Sequence, residues 1–163
     1  MKKLIWTTLV LAALGGASGV ATAQQHHPQH GAPAANAGGN SDSRQFVQFP
    51  PQMVEHTLAN MRDHLLALQE MQDHLGMGHP DVAAKIAEER LGMSSLGTHG
   101  AHEAAKYMPQ GMQDAGSGMH RAASQFAIIA KDAAVTGELK PVFSALANIT
   151  AQCVGCHAGY RIK

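Results

Sequence analysis

The chain has 163 residues, with 12 basic and 12 acidic side chains, so its formal charge at pH 7 is zero. Aromatic residues make up 4% of it, and the sole tryptophan is Trp6. That length fits one domain with short extensions, and the charge balance argues against nucleic acid or an anionic membrane surface as partner.

Lys2 and Lys3 precede an apolar run from Leu4 to Leu14, and small residues follow as far as Ala21-Thr22-Ala23. This is the pattern of a secretory signal with an A-x-A site, cleaved before Gln24. The run is too short to span a bilayer comfortably, so no stable membrane insertion is expected. An uncleaved anchor helix is the alternative. Residues 1–23 are thus read as a cleaved signal peptide, which makes the product periplasmic in a host with an outer membrane. Losing Lys2 and Lys3 leaves 10 basic against 12 acidic residues, a formal charge of −2.

Residues 24–49 read as a flexible tail rich in His, Ala, Gly and Pro, and Gln24 to Asn40 shows no hydrophobic period. Its His26, His27 and His30 offer weak binding to copper, nickel or zinc; a solvated leader is the simpler expectation. Residues 50–163 form the remaining domain. Pro50-Pro51 marks a helix entry, since proline is tolerated in a first turn.

The first helix is expected from about Pro51 to Leu75. Val54, Leu58, Met61, Leu65, Leu68, Met71 and Leu75 recur at steps of three and four, a stripe that faces a core. Gly76-Met77-Gly78 ends it, and Pro80-Asp81 opens a second segment to about Leu96, carried by Val82, Ile86, Glu89/Arg90 and Met93. Glycines at 97, 100, 111, 116 and 118 interrupt the next stretch, leaving a short helix near His102–Met108. A third main helix gathers from Pro109 and is clear from Met119, through Ala122, Phe126, Ile129 and Ala133. After Gly137 the fourth carries Leu139, Val142/Phe143, Leu146, Ile149 and Cys153. No period of two stands out. The fold class is therefore all-α, an antiparallel four-helix bundle of up-down-up-down topology.

The last helix runs into Cys153-Val154-Gly155-Cys156-His157, and these are the only two cysteines. C-x-x-C-H is the attachment sequence of c-type haem. Two thiols add to the two vinyl groups of one porphyrin, and the next residue offers an imidazole to the iron. On a helix all three side chains leave from one face. A structural zinc site would need four ligands, and no second pair stands at a matching offset. A thioredoxin-like pair belongs near a βαβ pattern, and a disulfide between these cysteines would close a very small loop. Export and haem attachment support each other, because covalent attachment takes place on the exported side of the membrane.

With Ala158-Gly159-Tyr160-Arg161 following it, the motif resembles that of the class II c-type cytochromes, the cytochrome c′ family, whose pattern is C-x-x-C-H-x-x-aromatic-basic on the last helix. The resemblance covers roughly residues 47–163, with its motif confined to Cys153–Arg161. It implies a bundle with one covalent haem c near the C-terminus, electron transfer or binding of small gases, and frequent dimerisation through the first two helices. Cys153 and Cys156 would tether the porphyrin, and His157 would be the proximal iron ligand. Tyr160 would pack near the haem edge. Arg161 would lie beside the proximal face and raise the potential, or else simply complement the helix dipole at a solvated end.

The distal site decides between functions. Five-coordinate members place an apolar residue there; low-spin relatives place a methionine on the first helix. The stripe puts Met61 at that position, and a thioether is a reasonable sixth ligand for electron transfer. One turn of shift would substitute Leu58 or Leu65, and His64 is a rival ligand. Family members carry an arginine four residues before the distal position, where this chain has Thr57.

The expected function is a one-electron carrier working with a periplasmic redox partner. The alternative is a five-coordinate binder of NO or CO. No distal acid/base pair for O–O cleavage stands out, so enzymatic activity is not expected. A more distant possibility is an exported copper-binding protein, suggested by eleven histidines together with Met108, Met112, Met119 and His120. His56, His64, His74, His79, His99 and His102 show no paired ligand spacing and read as surface or satisfied residues.

Overall fold

The computed structural model describes residues 42–162. The expected signal peptide, and the stretch bearing His26, His27 and His30, lie outside them. The described chain is all-α, with one minimal pair of strands. In order it contains β1 (Gln45–Phe46), α1 (Pro51–Gly76), α2 (Pro80–Ile86), a π turn (Ala87–Leu91), a 3-10 turn (Met93–Ser95), α3 (Ala101–Ala105), α4 (Gln110–Thr136), α5 (Lys140–Gly159) and β2 (Tyr160–Arg161). Among the described residues no helix is long and apolar enough to cross a membrane.

Proline opens α1, α2 and α5 within their first turns, where its missing N–H has no intrahelical partner to lose. α4 packs on α5, α2 packs on α4, and α1 packs on α2. The main core lies between them around Phe126, Met71, Leu91, Ile149 and Val142, each under 2% exposed. Deleting buried side chains of this size typically costs about 2–5 kcal/mol.

Three segments differ from their sequence reading. The second helix is shorter than expected: after Ile86 it widens into the π turn and then breaks at the extended Gly92. Its buried face is Ala83, Ala84, Ala87 and Leu91, while Met93 is exposed. Small side chains let this helix approach α1 and α4 closely, so its core face is legible as alanines rather than as large apolar residues.

α4 is continuous across Gly111, Gly116 and Gly118. Tertiary contact explains two of these. A Cβ at Gly111 would collide with Tyr160 Oη, and one at Gly118 would lie 2.7 Å from Gln152 Oε1. The glycines permit close approach and do not break the helix, because packing outweighs a propensity penalty of about 1 kcal/mol each.

The third difference lies before Pro50. β1 pairs in parallel with β2, Gln45 opposite Tyr160 and Phe46 opposite Arg161, and Val47 N–H donates to Arg161 O at 2.8 Å. Val47 and Phe49 are buried and form a second small cluster with Met112. The segment expected to be tail up to residue 49 is therefore packed from β1 onward. The α1 stripe also shifts: Leu65 is 69% exposed, and Ala67 with Leu68 takes the core position.

Candidate functional site

α5 delivers the cysteine motif to one end of the helices. Cys153 is half-buried against the main core, and its thiol approaches Ile149 O at 3.6 Å. Cys156 packs instead against the small cluster of Val47, Phe49 and Met112. Both thiols are free, and burial pushes both above the ordinary thiol range. They are protonated at neutral pH and are not joined, so the small-loop disulfide is not formed.

Because α1 and α5 are not in extensive contact, a cleft of about 280 Å³ remains between them. Thr57, Leu58 and Met61 of α1 form one wall. Cys156 and His157 of α5, with Tyr160, Arg161 and Ile162, form the other, and Met112 of α4 also lines it. Met61, Cys156, His157, Tyr160 and Arg161 thus come together at one cavity. Cys153 does not line it. Leu65 turns outward, which removes it as a distal candidate, and His64 belongs to a separate group of histidines. A groove of similar size between α4 and α5 is lined by Ala122, Gln125, Ile129, Pro141, Ser144, Ala145 and Asn148. It contains no titratable or thiol side chain and offers no comparable chemistry.

Tyr160 and Arg161 stand on β2 and not on the last helix, which ends at Gly159. Tyr160 Oη rests against Gly111, and both residues are half-buried. Arg161 stacks over the Phe46 ring, 5.2 Å from its centroid, and makes an ion-pair contact with Asp42 at 3.5 Å. That contact lacks hydrogen-bond geometry. The solvated helix end considered for these two residues is therefore replaced by a packed strand.

Arg44 is a cleft residue that sequence reasoning missed. Its guanidinium binds Asp42 at 2.7 Å and donates to His157 O at 3.4 Å. Hydrogen bonds from Arg44 hold the Asp42 carboxyl down to about 2. Arg44 lies in the stretch read as tail, and the only hint was the apolar alternation Val47-Gln48-Phe49 just beyond it. It places a cation at the cleft where Thr57, buried in α1, supplies none.

No protein-family model matches the chain, no curated protein matches it, and no solved structure matches it.

Proposed function

We propose that the protein is an exported haem c protein of the four-helix bundle type, periplasmic where the host has that compartment, that carries single electrons.

 The single observation that carries this is the convergence of Cys156, His157 and Met61 on one mostly apolar cleft. The donor set fits a covalently held porphyrin. A thiol and an imidazole stand on one wall and a thioether faces them from α1, while Leu58, Met112 and Ile162 supply apolar surface. Two guanidinium groups, Arg44 and Arg161, line the cleft, and an incoming carboxylate would compete there with Asp42, which both already contact.

A bound haem supplies reversible one-electron chemistry at iron, and the protein supplies ligation, burial and nearby charge. Cys156, which lines the cleft, would hold the group covalently, and Cys153, which packs on the main core, would have to turn toward the cleft to add the second link. His157 would hold the iron through one ring nitrogen, with the other left to a hydrogen-bond partner or water. Met61 would offer its thioether sulfur to the iron from the α1 wall. Arg44 and Arg161, with the ionised Asp42 between them, leave one net positive charge beside the site, which would favour the reduced state. Leu58, Met112 and Ile162 exclude water. The partner is a second redox protein, and dimerisation through α1 and α2 remains part of the same family-based proposal.

A second function has a specific observation in its favour. Leu58 and Thr57 share the α1 wall with Met61. If Leu58 covers the iron instead, the site is five-coordinate and binds NO or CO.

Optical spectra of the haem-loaded protein, with and without carbon monoxide, separate the two. Electron transfer with Met61 ligation predicts a low-spin ferric spectrum with a weak far-red band and little response to carbon monoxide. Met61→Ala should then give a high-spin spectrum and rapid carbon monoxide binding. A wild-type spectrum that is already high-spin removes Met61 from the iron and puts gas binding first.

A further inference from the structure

Away from the cleft, three histidines from three parts of the chain pack ring on ring. His64 of α1 and His99 of the loop before α3 have centroids 4.7 Å apart. His120 of α4 lies 5.7 Å from His99 and 6.1 Å from His64. His99 and His120 are 8% and 6% exposed. By sequence, His64 and His99 read as surface or satisfied residues and His120 groups with the methionines; the fold packs the three together, His99 and His120 buried and His64 partly so.

The hydrogen bonding fixes which nitrogens are available. His120 Nδ1–H donates to Leu91 O at 2.7 Å, so in the neutral ring Nε2 carries a lone pair. Ser95 donates its hydroxyl proton to Gly92 O at 2.7 Å. His56 and Asn60 donate to the His99 carbonyl at 2.8 and 2.9 Å, which pins the loop to α1. The contacts that remain are long. His64 Nε2 faces His99 Nδ1 at 3.4 Å, and Ser95 Oγ lies 3.3 Å from His99 Nδ1 and 3.4 Å from His120 Nδ1. These exceed the usual range for a good N–H···N or N–H···O bond. A separation of about 3.4 Å is, however, the edge of a tetrahedron built from metal–nitrogen bonds of about 2.05 Å.

We propose that His64, His99 and His120 form a binding site for a late first-row metal ion, cuprous copper in the first place. Imidazole suits copper and zinc. The three direct ligands are neutral, and burying a single charge among neutral ligands costs less than burying two. One net negative charge lies nearby, because Asp63 and Glu70 both bind Arg90. His120 is oriented by its Nδ1 bond to Leu91 O, the usual way an outer partner sets a metal-binding ring. Among the described residues no three His, Cys, Asp or Glu side chains are already posed around one ion. Binding therefore requires the rings to re-aim within the cluster. This site is independent of the haem proposal, since none of its residues lines the cleft.

The test is cuprous copper titrated into the full chain carrying C153S/C156S, which removes thiol competition, with a chromophoric copper chelator as competitor. One equivalent should bind, and H64Q, H99Q and H120Q should each weaken it at least tenfold. The H26A/H27A/H30A chain should keep it. Copper binding that survives the three glutamine substitutions, or that disappears with the N-terminal histidines, overturns the proposal. Should a glutamine variant lose its helical circular dichroism, X-ray absorption of the copper-loaded wild-type chain decides. A nitrogen shell with imidazole scattering is expected; a sulfur scatterer at the copper overturns the site.

Discussion

Met61 and His64 stand three residues apart on α1, yet they face regions assembled in different ways. The cleft takes Cys156, His157, Tyr160 and Arg161 from one continuous stretch, and α1 completes it from across a gap. The histidine cluster takes single residues from positions 64, 99 and 120, joined by contacts across the whole helical unit. The cleft is open and half-exposed, so its residues are free to serve a bound group. The cluster is closed, so the protonation of His64 and His99, both lowered chiefly by burial, is coupled to folding. A local motif can be read as a string; a set of residues gathered by packing cannot.

The largest expected effect tests the local half of this contrast. C153A/C156A should abolish covalent haem completely, read as the loss of the haem mass increment under denaturing conditions. Helical circular dichroism should persist, because neither thiol belongs to the fully buried core. Collapse of the helices in that variant would mean that the cleft is as deeply tied to folding as the cluster.

The next effect tests the distributed half. Burial first, then the neighbouring His99 and His120, lowers the His64 pKa from 6.5 to about 4. Between those values the unfolded chain binds more protons than the folded one, so stability rises with pH. The contribution is fully present above pH 6.5 and is lost as pH falls toward about 4. After discounting for partial exposure, it amounts to roughly 2 kcal/mol. Urea midpoints of the metal-free chain at pH 7 and pH 4.5 should show it, and His64→Leu should flatten the difference. An unchanged pH dependence in that variant would place the acid sensitivity elsewhere, for instance at Asp63, whose carboxyl is held low by Arg90.

The smallest effect sits where the two ends of the described chain meet α4. Gly111→Ala forces Tyr160 Oη to move, but the tip of a side chain yields readily and alanine favours the helix. Thermal denaturation should shift by the equivalent of less than about 1 kcal/mol. The redox potential of the haem-loaded protein should move, because Tyr160 lines the cleft. A large stability loss with no change in potential would reverse that assignment.

By itself the sequence determined the all-helical class, the prolines that open α1, α2 and α5, the endings at Gly76 and Gly137, and the cysteine motif at the close of α5. Each of these rests on interactions within a few residues: apolar periodicity, the missing N–H of proline, or the spacing of Cys153, Cys156 and His157. Tertiary structure alone decided the rest. It buried the alanine face of α2, because close helix approach selects small side chains over large ones. It kept α4 unbroken through its glycines, because Tyr160 and Gln152 occupy the space that side chains would need. It turned Leu65 outward and drew Arg44, Val47 and Phe49 into the packed unit through a strand pairing with residues more than a hundred positions away. It also brought His64, His99 and His120 into contact, since hydrogen bonds from α1 to the His99 carbonyl fix a loop whose course no local pattern specifies.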